Sequence, residues 1–288
     1  MVNRKAIQKS GALFIVATPI GNKEDITVRA LRILKEVDFI AAEDTRKTRR
    51  LLAYHNINGR FISYHEHNET ERTEKLIGKL KQGTSIALVT NAGTPVVSDP
   101  GYPLIQAAIG NEIRIIPIPG VSAAVTALSA AGLPTDSFLF IGFVARKQNK
   151  RLKQLRELTR ENRTLIFFES PRRIRKLLVE IVGVLGDRYA VLAREMTKRY
   201  EEFIRGRLSE IQNHLNKQSA IKGELTLLVS GKEVKNHGFP DEIKKELESQ
   251  LIGDQIPLSE IVKRMVRKYG VSKNKVYTEA LNIKSKRS

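Results

Sequence analysis

Short, almost wholly apolar runs recur along the first half of this chain, each followed by an amphipathic stretch, and that alternation leaves few folds open. Ala12–Ala17 (ALFIVA), Val37–Ala42 (VDFIAA), Ile86–Val89 and Ile113–Ile116 read as strands. Between them, Thr27–Lys35 sets Val28, Leu31 and Leu34 at helical spacing, and Thr45–Tyr54 looks helical. Leu104–Ala108 begins a further helix, and alanine-rich Val121–Ala131 forms another after Pro119-Gly120. Strands that are apolar on both sides must be covered on both faces. The pattern therefore predicts an α/β fold with a parallel sheet between helical layers.

Gly132-Leu133-Pro134 interrupts the pattern, and we place a domain boundary there, with residues 1–134 as an N-terminal α/β domain. A second alternation follows in residues 135–235. Phe138–Ile141, Thr164–Phe168, Tyr189–Ala193, Glu201–Arg205 and Glu224–Ser230 read as strands, and Asn149–Leu158, Arg172–Leu185 and Leu208–Leu215 as helices. Strands this close together imply a mixed sheet. Gly231 and Gly238-Phe239-Pro240 mark a second break before a helical tail, residues 236–288. There Leu258, Ile261, Val262, Met265 and Val266 share one face, Gly270 ends the helix and Ser272 is placed to cap the next. Two short helices joined by a tight turn are similar to a helix-turn-helix.

Charge narrows the partners. Fifty Lys and Arg against 31 Asp and Glu give a net +19, an imbalance that costs self-repulsion and points to a polyanion. The excess is clustered at Arg46-Lys47-Thr48-Arg49-Arg50, at Arg146-Lys147 with Lys150-Arg151, Lys153 and Arg156, and at Arg172-Arg173 with Arg175-Lys176. From Ile261 to Ser288 nine Lys/Arg accompany a single acid, Glu279. Four such runs on one surface would suit a phosphate backbone. The chain has no cysteine, which excludes a disulfide scaffold, thiolate metal ligation and a cysteine nucleophile. Ala12–Ala17 is too short to span a bilayer and reads as a buried strand rather than a signal peptide. The expected compartment is the cytoplasm, with no membrane partner.

Three glycine- or proline-rich turns follow predicted strands: Thr18-Pro19-Ile20-Gly21-Asn22, Asn91-Ala92-Gly93-Thr94-Pro95 and Pro117-Ile118-Pro119-Gly120-Val121-Ser122. In an open parallel sheet, ligands sit beyond the carboxyl ends of the strands, where glycine lets backbone approach closely. There is no GxxxxGK[ST] and no GxGxxG, so a triphosphate or dinucleotide is disfavoured. A cofactor without phosphate, held by backbone groups, fits better. His65-Glu66-His67 would put both imidazoles on one side of a strand, but a third metal ligand is not evident. No GxSxG supports a hydrolase.

TPIGNKEDIT, AAEDTRKTRRLL, TNAGTPVVSDPGYPL, PIPGVSAAVTALSAAGLP, FFESPRRI, AREMTKRYEEFIRG and KGELTLLVSG occur in that order from Thr18 to Gly231. Together they resemble the 16S ribosomal RNA methylating branch of the tetrapyrrole methylase superfamily. The resemblance implies a parallel α/β domain and a mixed α/β domain with S-adenosyl-L-methionine in the cleft between them. It implies a homodimer that methylates the ribose 2′-oxygen of a decoding-centre cytidine in 16S rRNA of the small ribosomal subunit. Family contacts to the methyl donor fall on Pro19, on Ala92, Gly93, Thr94 and Pro95, on Ser122 and Ala123, and on Phe168. Two features depart from the superfamily pattern. The first loop has fewer glycines, and the triplet that is usually Gly-Asp-Pro reads Gly93-Thr94-Pro95, leaving Asp99 as the nearby acid that would substitute.

A ribose hydroxyl is a weak acid, so a base or a cation stabilising developing alkoxide would assist. The polar residues of these motifs, Asp44, Arg46, Glu169, Arg172, Arg194, Glu195 and Lys198, are the candidates. Asp44 also reads as a helix cap, and Arg194, Glu195 and Lys198 read equally well as structural ion pairs. Arg172 lies near a helix N-terminus, where a cation is unfavourable unless phosphate binds it. The sequence does not select the base. Two rival readings are a methylase acting on a tetrapyrrole carboxylate and a non-catalytic RNA-binding assembly factor.

Overall fold

A computed structural model of the chain describes residues 11–233, 241–252 and 256–285. The chain divides between Lys232 and Glu233 into two compact units. The first unit holds two five-stranded sheets. One has the order β3-β2-β4-β1-β5 and is parallel throughout. It is built from β1 (Ala12–Val16), β2 (Phe39–Ala42), β3 (Phe61–Ser63), β4 (Ile86–Val89) and β5 (Arg114–Ile118). Its helices are α1 (Val28–Glu36), α2 (Thr45–Tyr54), α3 (Glu69–Lys81), α4 (Tyr102–Gly110) and α5 (Ala123–Ala131).

Alternation along the strands feeds two cores. Leu13, Ile15, Ile86 and Leu88 pack on one face with Leu76 and Leu80 of α3 and Leu104 of α4. Val16, Ala87 and Val89 pack on the other with Ile33 and Leu34 of α1 and Leu52 of α2. Both faces are covered, which is why these strands read as continuous apolar runs.

Two elements of this sheet escape the sequence pattern. β3 is a three-residue edge strand, too short to show a period. The first turns of α3 are polar, and its buried side chains Thr73, Leu76, Ile77 and Leu80 begin only at the fifth residue. Contrary to the strand expected for His65-Glu66-His67, His65 precedes a turn over residues 66–68 and the triplet is not on a strand. Asn68 accepts the His65 N–H through Oδ1 at 2.8 Å and donates through Nδ2 to the Ser63 carbonyl at 3.3 Å. That local side-chain bonding closes a turn where alternation alone suggested extension.

The second sheet has the order β6-β7-β10-β8-β9: β6 (Phe138–Phe143), β7 (Thr164–Glu169), β8 (Tyr189–Arg194), β9 (Glu202–Arg207) and β10 (Leu225–Val229). Only β6 and β7 run parallel, so the sheet is mixed. α6 (Gln148–Glu157), α7 (Ile174–Leu185) and α8 (Leu208–Asn216) bury Leu155, Leu177, Ile181 and Ile211 on one face. α5 supplies the other: Ala124, Ala127, Leu128 and Ala131 pack with Ile166, Val191, Ala193 and Leu228. The helix that closes the first α/β layer thus floors the second, and its small residues let it lie close to the strands.

The basic runs divide when their contacts are read. Arg46, Lys47, Arg49 and Arg50 on α2 are exposed, as are Arg146, Lys147, Lys150 and Lys153. Arg151 is not part of that surface. It donates to both Glu180 oxygens at 2.5 and 2.8 Å and to the Ala145 and Arg146 carbonyls, with the two side chains 6% and 7% exposed. Its acid lies 29 residues on, beyond the reach of a local charge count. Arg173 bonds Glu169, and Arg175 donates to the Leu215 and Gln218 carbonyls, leaving Arg172 and Lys176 as the exposed cations of that run. Glu180→Ala strands the Arg151 charge in the core and is expected to cost about 3–5 kcal/mol, read by urea denaturation. An unchanged midpoint would contradict this.

The second unit contains α9 (Asp241–Gln250), α10 (Leu258–Tyr269) and α11 (Lys273–Ser285) around Ile243, Leu247, Ile261, Val262, Met265, Val276, Ala280 and Ile283. The tail is thus a three-helix core with α9 as a member, not a pair. The Gly238-Phe239-Pro240 break lies outside the described residues. Gly270 ends α10 in the left-handed region with φ 65°, its N–H donating to the Val266 carbonyl. Among the described residues no helix is long and apolar enough to cross a membrane.

Candidate functional site

The three turns meet. Thr18 and Gly93 exchange both backbone hydrogen bonds at 2.9 Å, tying the turn after β1 to the turn after β4. The Thr94 hydroxyl donates to the Val121 carbonyl at 3.1 Å, tying in the turn after β5. Gly120 is required there, since a Cβ would come within 2.8 Å of the Ala17 Cβ. Gly93 takes φ 78°, open to glycine at little cost.

Beyond these turns lies a cavity of about 400 Å³. Ala92, Gly93, Thr94, Ser98 and Asp99 line it from the β4 side, and Ser122 and Ala123 from the start of α5. Phe168, Glu169, Ser170 and Thr226 line it from the second sheet. Of the residues singled out by sequence, Ala92, Gly93, Thr94, Asp99, Ser122, Ala123, Phe168 and Glu169 therefore share one cavity. Pro19 and Pro95 are buried and stand outside the lining.

The remaining candidates lie elsewhere. Asp44 caps α2, accepting the Arg46 and Lys47 N–H groups, and Arg46 returns its guanidinium to the same carboxylate at 3.4 Å. The Arg46 side-chain bond holds the Asp44 carboxyl below its usual range. Arg172 sits exposed before α7, which starts at Ile174. Arg194 bonds Glu202 at 2.5 Å, and Arg194 and Glu195 border a separate hollow with Lys217 and Lys222. Lys198 bonds Glu195 at 2.8 Å and Glu224 at 3.0 Å, and its hydrogen bond to Glu195 leads the causes that hold that carboxyl low.

Sequence reasoning missed Glu43, Phe143 and Glu224, and named Lys47 only in a basic run and Asn91 only in a turn, yet all five line the cavity. Glu43 stands beside Asp44 but turns away from α2 to accept the Asn91 N–H at 3.1 Å. Pairing of β2 with β4 brings those two strand ends together. Phe143 is 55% exposed and meets the Phe168 ring edge-on at 5.7 Å.

The electrostatics oppose those of the whole chain. In a protein of net charge +19, the cavity is lined by four acids, Glu43, Asp99, Glu169 and Glu224, and one lysine, Lys47; Glu169 and Glu224 are paired with Arg173 and Lys198, leaving Glu43 and Asp99 without a basic partner among the ion pairs of the described residues. Such a lining favours a cation and disfavours phosphate. Asn91 Oδ1 is buried without a partner and is an acceptor awaiting a donor. The loop from Gly93 to Gly101 is strained. Val96 and Ser98 take φ 75° and 65°, and for a β-branched residue that is a marked outlier of the kind that collects at functional sites.

The profile of the family described as Tetrapyrrole (Corrin/Porphyrin) Methylases matches residues 12–212. The chain is 47% identical over 273 residues to ribosomal RNA small subunit methyltransferase I of Halalkalibacterium halodurans, covering 93% of each chain. It is 43% identical over 281 residues to the protein of the same name from Escherichia coli O157:H7, covering 97% of this chain and 98% of that one. The chain belongs to the ribosomal RNA small subunit methyltransferase I family of the tetrapyrrole methylases. Solved methylases share the fold at lower identity. The methyltransferase CobJ superposes with TM-score 0.60 at 20% identity over 77% of this chain and 95% of that one. Uroporphyrin-III C-methyl transferase from Thermus thermophilus, complexed with S-adenyl homocysteine, gives 0.56 at 20% over 77% and 98%. In this methylase, as the resemblance implied, a parallel α/β layer and a mixed one border the cavity together.

Proposed function

We propose that this chain is an S-adenosylmethionine-dependent methyltransferase acting on ribosomal RNA of the small subunit, at the ribose 2′-oxygen of a decoding-centre cytidine. The observation that carries this reading is the acid-lined cavity at the confluence of three turns in a strongly basic protein. A sulfonium donor with an ammonium group suits the acids of the cavity, Glu43 and Asp99 above all, and the Asn91 acceptor, and a polyanionic substrate suits the exterior. Relatives named as small-subunit rRNA methyltransferases, at 43–47% identity over almost the whole chain, supply the substrate class.

The residues proposed to hold the donor are Ala92, Gly93, Thr94, Ser122, Ala123 and Phe168. Small side chains and turn backbone there admit close approach, and the Phe168 ring offers a flat apolar wall. When bound, the donor supplies an electrophilic methyl carbon. The protein then has to hold a hydroxyl oxygen in line with that carbon and its sulfur, and exclude water. In the first unit, the exposed cations of α2 and those before and on α6 are proposed to hold the RNA backbone. A homodimer in the cytoplasm completes the proposal. The large apolar side chains Tyr102 and Ile109 on α4, 64% and 59% exposed, support a protein partner.

Methyl transfer from radiolabelled donor, offered to small ribosomal subunits and to a porphyrinogen in parallel, tests the reading. Label in the 16S rRNA is expected, at one nucleotide whose 3′-phosphodiester resists alkaline cleavage because its 2′-oxygen is methylated. Label only in the porphyrinogen would move the chain to the tetrapyrrole branch. RNA bound without label would make it an assembly factor.

A further inference from the structure

A second hollow, of about 570 Å³, lies in the first unit beside the donor cavity. It is lined by Arg194 and Glu195 at the end of β8, by Tyr200 in the turn before β9, and by Lys217, Gln218 and Lys222 in the loop between α8 and β10. That volume falls within the roughly 300–1,000 Å³ of sites that take small ligands. The two spaces share a wall. Glu195 borders the hollow and Glu224 the cavity, and the Lys198 ammonium bonds both, at 2.8 and 3.0 Å. Lys222 lines the hollow and the next two residues, Gly223 and Glu224, line the cavity. Two backbone steps, at most about 7 Å, therefore carry the chain from one space to the other.

The wall is rigidly built. Glu195 and Thr197 take φ 52° and 65°, left-handed conformations that side-chain-bearing residues seldom adopt. The Thr197 hydroxyl accepts the Asn22 N–H at 2.9 Å, tying this strained turn to the turn after β1. Gly223 backs it, since a Cβ there would overlap the Glu195 side chain.

Charge in the hollow is sorted by its contacts. Glu195, its one acid among the described residues, is taken: it accepts the Lys198 ammonium and the Glu224 N–H at 2.9 Å. Arg194 is held by Glu202 at 2.5 Å and by Gln218 Oε1 at 2.9 Å. Lys217 and Lys222 are exposed, and neither side chain has an ion pair among the described residues. A lysine at a helix C-terminus ordinarily serves the last carbonyls. Lys217 follows α8 directly, yet Arg175 already donates to the Leu215 and Gln218 carbonyls. Tyr200 is 71% exposed, with the Arg199 guanidinium 5.7 Å from its ring centre.

Resting on the methyltransferase reading above, we propose that this hollow seats the nucleotide next to the one that is methylated, with its phosphate on Lys217 and Lys222 and its base against the Tyr200 ring. The acids Glu43 and Asp99 make the donor cavity hostile to phosphate. A strand whose ribose enters that cavity must set its flanking phosphates on cations outside, and these two lysines stand across one wall. Unpaired RNA bases are recognised by stacking on exposed aromatic rings, and Tyr200 offers one at this rim. The strand held here is single, because a base stacked in a duplex has no free face to offer.

Three variants test the proposal beside wild type: Lys217→Gln combined with Lys222→Gln, Tyr200→Ala, and Tyr200→Phe. The probes are a labelled single-stranded fragment of 16S rRNA carrying the decoding centre, followed by anisotropy, and small ribosomal subunits with donor. The lysine pair should flatten the log–log salt slope of RNA binding by about 1.4, at roughly 0.7 per contact. Tyr200→Ala should weaken RNA binding, and raise KM for subunits, about 5–150-fold, while Tyr200→Phe keeps the ring and stays within about threefold. Donor affinity by calorimetry should match wild type in all three. A thiouridine placed beside the methylated cytidine should crosslink to residues 199–222. An unaltered salt slope in the lysine pair, wild-type RNA affinity in Tyr200→Ala, or crosslinks only to α2 or α6 would overturn the assignment. So would a loss of donor affinity, which would make the hollow part of the donor site. If wild type transfers methyl groups and the variants keep its KM, the hollow alone falls. If wild type binds RNA without transferring a methyl group, the methyltransferase reading falls, and with it the place of this nucleotide beside a methylated one.

Discussion

Between 50 and 200 mM salt, the affinity of this protein for its RNA is expected to fall about 10³–10⁵-fold, the drop for six to ten phosphate contacts. Two basic runs of the first unit supply eight exposed cations: Arg46, Lys47, Arg49 and Arg50 on α2, Arg146 and Lys147 just before α6, and Lys150 and Lys153 on it. Their charges are little committed to internal pairs. Arg46 shares Asp44 at 3.4 Å while 85% exposed, and Arg49 lies over the Phe61 ring at 4.8 Å, a contact that leaves its outer face open. Arg151 differs because its charge is consumed by Glu180 in the core. Changing Arg46, Arg49 and Arg50 together to Ala should flatten the log–log slope by about two to three, at roughly 0.7–0.9 per contact. The same triple change should leave the melting temperature nearly unmoved, since exposed substitutions typically cost within about 0.5 kcal/mol. A salt response that is flat in wild type, or unaltered in the triple variant, would remove these surfaces from RNA binding.

Gly93→Val is expected to weaken S-adenosylmethionine binding about 100-fold. At φ 78° a side-chain-bearing residue costs about 1–2 kcal/mol, more when β-branched. The added methyl groups would crowd Ile20 Cγ2 and the Val121 carbonyl, which already stand 3.6 and 3.8 Å from a Cβ at this position. Overpacking of that kind costs about 1–3 kcal/mol. A total near 3 kcal/mol is about two decades of affinity. Relief comes by moving the loop off Thr18, which breaks the paired 2.9 Å bonds that set the cavity wall. Gly93→Ala meets the same neighbours at ordinary contact distance and should lose only about tenfold, from backbone strain alone. Wild-type affinity in both variants would show that the donor does not use this turn.

Much of the fold was legible because local rules and tertiary packing agree. Thr45–Tyr54 is a helix capped by Asp44, and Ile86–Val89 is a central strand, as the sequence reads. Legibility failed where the signal is weak or distant. β3 is an edge of three residues, and the first turn of α3 carries Glu69 and Glu71 in place of an apolar stripe. The site follows the same division. Glycine and proline mark the turns, so Gly93 and Gly120 were visible, as was the alanine-rich start of α5. Of the carboxylates that line the cavity, Asp99 and Glu169 were singled out and Glu43 and Glu224 were not. Glu43 and Asp44 are neighbours in sequence, yet one caps a helix and the other meets Asn91 across the β2–β4 pairing. Lys198 read equally well as a catalytic candidate and as part of a structural ion pair, and it bonds Glu195 and Glu224, 3 and 26 residues away.

The central claim is that the turns after β1, β4 and β5 close on one S-adenosylmethionine molecule. Hydrogen exchange of the full chain with and without the donor measures this most directly. Residues 18–22, 91–99 and 120–124 should gain protection together, with half-saturation at a single donor concentration. Protection confined to one of the three turns, or appearing only at the hollow beside Arg194, would contradict the account.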